Sequence, residues 1–484
     1  MYRAPVSDIA FTLKHVAGVA EVLGDGHFPE LAEDLEVVLA EAGRFASDRI
    51  APLNRVGDRQ PARLDGDAVV TPPGWRDAYR AWAEAGWTGI AAPDEIGGQG
   101  LPLMLSAATQ EMWNGACISF ALCPLLTMGA IEALQKHGTE ALKSTYLRRL
   151  VSGEWTATMN LTEPQAGSDL GALRTRAEPQ PDGTYRLFGQ KIFITYGDHD
   201  LADNIVHLVL ARLPDAPAGS RGISLFLVPK FLVNADGSLG ARNDLFCSGL
   251  EHKLGIHGSP TCTMIYGDGR FGGPGAVAWL VGEENRGLNC MFTMMNNARL
   301  MVGIQGVAQA ELALQQASAY AQERRQGRAP GWPGEGMSPI ALHPDVRRML
   351  LEMRALTAAA RAICYSCAFA ADMAASSSRA GSGSDGAAWR ERVDLLTPIA
   401  KAFATDIGFE VASLGVQVHG GAGFIEETGA AQTLRDSRIT SIYEGTNGIQ
   451  AIDLVTRKLP ISGGAAVRRY ISELKAIAER SRME

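Results

Sequence analysis

Ile442-Tyr443-Glu444-Gly445-Thr446-Asn447-Gly448-Ile449-Gln450, near the end of the 484-residue chain, is the stretch from which the reading of the fold starts. It sets one carboxylate, Glu444, beside Gly445 and close to Gly448, and leads directly into the apolar helical pattern Ile449-Gln450-Ala451-Ile452-Asp453-Leu454-Val455. A carboxylate at a loop-to-helix junction has two uses. It can accept hydrogen bonds from the open N–H groups of the first turn as a cap. Aimed into a dry pocket, it can act as a general base. The stretch by itself leaves both uses open.

Two companion segments narrow the choice. One is Thr158-Met159-Asn160-Leu161-Thr162-Glu163-Pro164-Gln165-Ala166-Gly167-Ser168-Asp169; the other is Lys191-Ile192-Phe193-Ile194-Thr195, followed much later by Gln417-Val418-His419-Gly420-Gly421-Ala422-Gly423-Phe424. Taken singly, Lys191 to Thr195 is an ordinary strand and Gln165 to Ser168 a simple turn. In this order, the segments resemble the acyl-CoA dehydrogenase family over about residues 35 to 460. The opening Tyr2-Arg3-Ala4-Pro5-Val6 and a long middle insertion are similar to its larger-subunit branch, which includes 3-methylmercaptopropionyl-CoA dehydrogenase-like enzymes. The resemblance implies an α+β fold. Its parts are an N-terminal helical domain (1–154), a middle antiparallel β-barrel domain (155–284), a C-terminal helical bundle (285–460) and a tail (461–484).

The periodicities agree with that order. Leu31, Leu35, Val38, Leu39 and Ala42 recur at helical spacing, as do Trp75, Tyr79, Trp82 and Ala83. Gly97-Gly98-Gln99-Gly100 and Pro102 interrupt the pattern, which resumes through Met128, Ile131 and Leu134 to Leu150. From about 155 to 280 the texture is strand-like, at Tyr185–Phe188, Ile205–Leu210, Ile223–Val228 and Thr261–Tyr266. Pro181-Asp182-Gly183-Thr184 supplies a hairpin turn for the first pair. Turn signals without intervening helices point to an antiparallel unit and away from a parallel sheet. Helices return after Gly287: Ala308, Leu312, Leu314 and Ala317 mark one long helix, and Val346, Met349, Leu350, Met353 and Leu356 another. Between them lies the Pro- and Gly-rich loop Arg328–Gly336, and a mobile break is expected at Ser376–Ser384. Two further helices are expected around 393–415 and 449–457.

Composition sets bounds. Hydrophobic residues make up 46% and charged residues 20%, an ordinary globular balance, and the net charge of −8 gives a nucleic-acid partner no support. The N-terminus has no apolar signal core and no transit-peptide pattern, and no apolar run is read as approaching the ~20 residues that cross a bilayer. With seven scattered cysteines the chain reads as a cytoplasmic protein without a membrane partner. Cys364 and Cys367 form a C-x-x-C inside a helical run, without a second ligand pair, so they read as buried helix cysteines and no metal site is expected.

The resemblance implies a cofactor, FAD, lying between the β unit and the C-terminal helices. No G-x-G-x-x-G unit is present, so NAD held in a Rossmann manner is not expected. Carried over residue by residue, Leu161, Thr162 and Thr195 approach the flavin ring, and Phe193 stands where the family has Trp. Gly167 and Ser168 allow close backbone approach with a hydroxyl at hand, near both cofactor and substrate. Gln417, Gly420 and Gly421 match the segment for the adenosine half of FAD, contributed by a neighbouring subunit. Arg324 matches the arginine that reaches the cofactor across that interface, although Gln326 and Gly327 replace the usual Thr-Phe. Thr446 and Gly448 continue the cofactor-contacting loop, Gly448 standing where Gln is common. Arg299 and Gly445 are expected on the substrate side with Ser168. Ala298 stands where some relatives carry their glutamate, which leaves Glu444 as the base.

The implied reaction is removal of the α-proton of an acyl-CoA by Glu444, with hydride transfer from the β-carbon to flavin, giving a trans-2-enoyl-CoA. Electrons are expected to pass to an electron-transfer flavoprotein. An oxidase using oxygen is the alternative on the same scaffold; a nucleic-acid-binding flavoprotein is another, but it calls for a basic groove that this acidic chain does not suggest. The branch carries a further C-terminal segment and this sequence ends at Glu484, so both a homodimer and a homotetramer remain compatible.

Overall fold

The computed structural model describes residues 2–24, 28, 31–379 and 383–480. In chain order its main elements are α1 (Val6–Phe11), α2 (Val19–Gly24), α3 (Leu31–Phe45), α4 (Leu53–Arg59), β1 (Arg63–Asp65), β2 (Ala68–Val70), α5 (Trp75–Glu84), α6 (Leu103–His137) and α7 (Glu140–Val151). Ten strands follow: β3 (Trp155–Asn160), β4 (Arg176–Pro179), β5 (Tyr185–Thr195), β6 (Asn204–Arg212), β7 (Ile223–Pro229), β8 (Phe231–Val233), β9 (Leu239–Arg242), β10 (Leu245–Leu250), β11 (Thr261–Tyr266) and β12 (Ala276–Val281). The last helices are α8 (Gly287–Glu323), α9 (Pro344–Arg379), α10 (Gly383–His419), α11 (Ala430–Ser437), α12 (Asn447–Asp453) and α13 (Ala465–Arg480). Helices, β unit, helices is the order the sequence predicts.

Two compact units make up the chain, one of residues 1–47, 102–116 and 299–484, the other of 48–101 and 117–298. One boundary falls at Cys117, whose φ −161° and ψ 98° interrupt α6 with one extended residue. Helix α6 also corrects the membrane reading. By length and composition it could cross a bilayer, but 89% of its apolar window is buried, so it is a core helix.

In the β-containing unit, β5, β12, β7, β6 and β4 close on one another into a small barrel, with β3 added to β6 and β11 and β10 to β5. Strands β6 and β7 are buried on both faces, so they read as continuous apolar runs. Alternate residues serve two cores. Val206, Leu208 and Leu210 with Ile223, Leu225 and Leu227 pack against residues of α6 and α7. Val209, Ala211, Phe226 and Val228 fill the barrel with Leu187, Ile194 and Met264. The pairing is antiparallel except that β3 and β4 run parallel to β6. The Pro181–Thr184 turn does not join the first predicted strand pair; it joins β4 to β5. The β1–β2 hairpin went unpredicted because its strands are three residues each and mostly exposed.

In the helical unit, small residues let α8 and α10 meet closely. A Cβ on Gly303 would lie 2.9 Å from the Ala400 carbonyl oxygen, and one on Gly306 would lie 2.2 Å from that of Ala404. A buried cluster ties three helices: Arg361 of α9 grips Glu111 of α6 at 2.7 Å and Glu311 of α8 at 2.8 Å, and Tyr365 donates to Glu111 at 2.6 Å. Cys364 and Cys367 are free and buried on α9. Arg328–Gly336 is a loop. The break expected at Ser376–Ser384 is a correction in part: 376–379 continue α9 and 383–384 begin α10, while 380–382 lie outside the described residues. Within the tail, 465–480 form α13 and 481–484 lie outside the described residues.

Candidate active site

Glu444 lies in the loop between a short 3-10 turn, Arg438–Ser441, and α12. The cap of α12 is Thr446, whose hydroxyl accepts from Ile449 N–H at 3.2 Å. Glu444 is therefore not the cap, and the first of its two possible uses falls away. The loop turns sharply, since Glu444 has φ 55° and Gly445 φ 84°, two successive left-handed residues. For a non-glycine residue that conformation costs on the order of 1 kcal/mol and marks a site that its surroundings over-determine. Glycine suits position 445, because φ is 84° and a Cβ would also displace the Gln450 side-chain nitrogen, 2.8 Å away. Buried Gln450 closes the turn, donating to the Gly445 carbonyl at 3.2 Å. Among the described residues the backbone N–H of Glu444 has no partner.

The surroundings of the carboxyl come from three helices. Burial pushes Glu444 up from 4.5 to about 7, against the opposing pull of Arg299 and Lys401. Arg299, on α8, is 7% exposed and lies 3.6 Å from Asp453 of α12, which also pairs with Arg457 at 2.6 Å. Lys401, on α10, has no exposed surface and donates to the Asn447 side-chain oxygen at 2.9 Å. Burial pulls its ammonium down to about 8, with Glu444 and Asp406 opposing. Tyr443 donates to Gln305, which donates to Asn114 at 3.1 Å, so the residue before Glu444 is fastened to α8. A carboxyl near half-ionisation at neutral pH, on a pinned loop, has the protonation balance of a general base.

In the other unit, Leu161 and Thr162 follow β3, half-buried, and Thr162 O accepts from Ile192 N–H at 2.9 Å. That bond sets them beside the bulge in β5 opposite Thr263, where Phe193 takes φ 60° and turns outward with 58% of its surface exposed. The anchor beneath is a buried ion pair, Lys191 to Glu163 at 2.8 Å, with Lys191 also donating to Leu161 O at 3.0 Å. Glu163 further accepts from Arg174 N–H at 2.7 Å and Thr175 N–H at 3.0 Å. Gly167 and Ser168 are exposed on the same loop. Among the described residues, the hydroxyls of Thr162, Ser168 and Thr195 have no partner. Open hydroxyls beside an exposed ring fit a flat, heteroatom-rich ring such as a flavin.

Arg324, Gln417, Gly420 and Gly421 form a separate group in the helical unit. All four are exposed. Tyr320, a turn before Arg324, stacks on His419 with ring centroids 4.4 Å apart, which brings the C-terminal ends of α8 and α10 together. Arg299 and Arg324 bracket about 25 residues of α8, a length of roughly 37 Å at 1.5 Å per residue. Glu444, Gly445, Thr446, Gly448 and Arg299 thus gather at one place and the Arg324 group at another.

Sequence reasoning missed Lys401, Asn447, Gln305 and the Lys191–Glu163 pair. One signal was available for Lys401: it stands on the buried face of α10, in line with Thr397, Ala404 and Thr405. The others depend on contacts between distant segments. A surface cavity of about 360 Å³, lined by Arg63, His252, Lys253 and His257 among others, includes none of the expected site residues.

Comparison with known proteins identifies the family. Family models for the N-terminal, middle and C-terminal domains of acyl-CoA dehydrogenases match residues 32–154, 158–268 and 285–459. The chain is 49% identical over 476 residues to 3-methylmercaptopropionyl-CoA dehydrogenase of Ruegeria pomeroyi, covering 98% of this chain and 79% of that protein. Butyryl-CoA dehydrogenase of Megasphaera elsdenii superposes with a TM-score of 0.71 at 26% identity, over 89% of this chain and 99% of that one. An acyl-CoA dehydrogenase of Bacillus anthracis complexed with FAD gives 0.73 at 26% identity, over 92% and 70% of the respective chains. The chain belongs to the acyl-CoA dehydrogenase family and is a flavoprotein oxidoreductase of that class.

Proposed function

We propose that this enzyme removes the α-proton of an acyl-CoA thioester with Glu444 and forms the trans-2-enoyl-CoA, passing its electrons to an electron-transfer flavoprotein. The observation that carries the reading is the state of Glu444: a carboxyl that caps no helix, pushed up to about 7 on a strained loop. Abstraction α to a thioester requires a base within reach and a donor on the carbonyl oxygen that becomes negative. Glu444 supplies the first. Its own partnerless N–H supplies a donor of the second kind. FAD, when bound, supplies the hydride acceptor for the β-carbon.

Leu161, Thr162, Phe193 and Thr195 would hold the ring, with Gly167 and Ser168 beside it and Thr446 and Gly448 on the loop. Phe193 gives a ring face but no indole donor. Arg324 offers a fork of donors suited to a pyrophosphate, and Gln417, Gly420 and Gly421 flank it. By the family resemblance this group serves the cofactor of a second copy of the chain, which would make a homodimer the least working unit. Arg299, Gly445 and Ser168 would line the substrate side. The relative in Ruegeria supports a short acyl chain, including a sulfur-bearing one, as substrate.

The test is anaerobic mixing of the flavin-loaded protein with acyl-CoAs from propionyl to palmitoyl, including 3-methylmercaptopropionyl-CoA, while flavin absorbance is followed. Fast bleaching by short chains is expected. A protein that holds flavin but is bleached by no thioester would overturn the reading. Peroxide released under air would replace the electron-transfer flavoprotein with oxygen as acceptor.

A further inference from the structure

Lys401 is a buried charged residue of the helical unit for which neither the resemblance nor the reaction accounts. Its side chain has no exposed surface, and among the described residues its ammonium makes one hydrogen bond, to the Asn447 side-chain oxygen at 2.9 Å. A neutral amide does not offset the burial of a full charge; a nearby carboxylate does. Two carboxylates act on it, Glu444 from the loop and Asp406 from its own helix, while Arg299 on α8 opposes. Asn447 opens α12 three residues after Glu444 and is held on every side. Its oxygen also accepts from Thr405 at 3.3 Å, and its nitrogen donates to Asp406 at 2.7 Å and to the Ala402 carbonyl at 3.2 Å. One turn of α10 therefore grips the catalytic loop through a single amide.

We propose that Lys401 is a positioning residue for the reaction: anchored through Asn447, its buried charge seats the Glu444 loop and favours the ionised carboxylate that takes the substrate proton. The inference rests on Glu444 being the base. The cations whose charge acts on Glu444 are Arg299, itself paired with Asp453 and near Arg457, and Lys401; Tyr443 precedes it and is fastened to Gln305. With Arg299 left in place, loss of Lys401 removes one of the two cations that hold the carboxylate charged. The acid limb of the pH profile then moves to higher pH, because a larger fraction of Glu444 carries its proton at any given pH.

The experiment measures anaerobic flavin reduction by saturating acyl-CoA from about pH 5.5 to 9.5 in wild type, K401M, K401R, N447A and E444Q. K401M is expected to shift the acid limb upward by about one pH unit, losing roughly tenfold in rate at pH 6 and little at pH 9, whereas K401R keeps the limb in place. N447A, which retains the charge but releases its anchor, is expected to lose about tenfold at every pH without moving the limb. A K401M limb that coincides with wild type overturns the proposal. If K401M does not retain flavin, N447A decides, and a rate within about twofold of wild type overturns it. E444Q separates the two readings. If E444Q reduces flavin at the wild-type rate, the base assignment itself fails; if E444Q is inactive and the limb stays fixed, only the role of Lys401 fails.

Discussion

Replacement of Glu444 by Gln has two opposite consequences that the structure lets one size. The carboxyl is held near 7 in the folded protein against an ordinary 4.5, a gap of about 2.5 pH units. At 1.36 kcal/mol per unit this is a penalty of about 3 kcal/mol on the folded state wherever both forms are ionised. The sign follows from proton counts. Between about pH 4.5 and 7 the folded chain keeps a proton that the unfolded chain has released, so stability falls as pH rises through that window and levels off above it. Below 4.5 the penalty is absent. Glu444→Gln cannot ionise, so it is expected to stabilise the protein by about 3 kcal/mol at pH 8.5, and by almost nothing near pH 4.5. With an unfolding entropy of about 2.1 cal/mol/K per residue over this chain, the gain raises the melting midpoint by about 3 °C. The same substitution removes the base, and flavin reduction by acyl-CoA should drop roughly 10²–10⁴-fold. Melting scans of both proteins at pH 5 and 8.5, beside stopped-flow bleaching, read both effects. Equal midpoint shifts at the two pH values would refute the raised carboxyl. Retained bleaching would refute the base.

Other perturbations test the scaffold around the site. Gly445→Ala forces a Cβ into a residue at φ 84° and to 2.8 Å from Gln450, and is expected to cost about 1–3 kcal/mol and most of the activity. An alanine variant with wild-type denaturant midpoint and turnover would show that the turn is not constrained. Lys191→Met leaves Glu163 charged and buried, so urea unfolding should show a loss of about 3–5 kcal/mol, with partial recovery in Lys191→Met/Glu163→Gln. Because Thr162 and Leu161 are held by the same strand, the single variant should also bind flavin more weakly. A loss under about 1 kcal/mol would mean that the pair contributes no structural anchor.

Local chemistry explains what could be read in advance. Amphipathic spacing marked α3, α5, α8 and α9, and continuous apolar runs marked β6 and β7, since burial of one or both faces imposes those periods on neighbouring residues. Boundaries were less legible. Residues 376–379 carry helix α9 onward although a serine-rich run resembles a break, because packing along α9 and α10 outweighs weak local preference. The parallel direction of β3 beside β6 was hidden for a related reason: strand direction is set by a connection that spans β4 and β5 and leaves no periodic trace.

The sequence by itself determined the order of helices and strands, the family, and the identity of Glu444, Arg299, Thr162 and Thr195 as candidates. Each lies in a short contiguous segment whose residue types are constrained together, so the pattern survives in one dimension. Tertiary structure alone decided what state those residues are in. It made Thr446 the cap in place of Glu444, brought the charges of Lys401 and Arg299 to the carboxyl from two different helices, and paired Lys191 of β5 with Glu163 of the loop after β3. Desolvation and Coulomb interaction depend on distance through space, and the helices that set those distances are brought together only by packing.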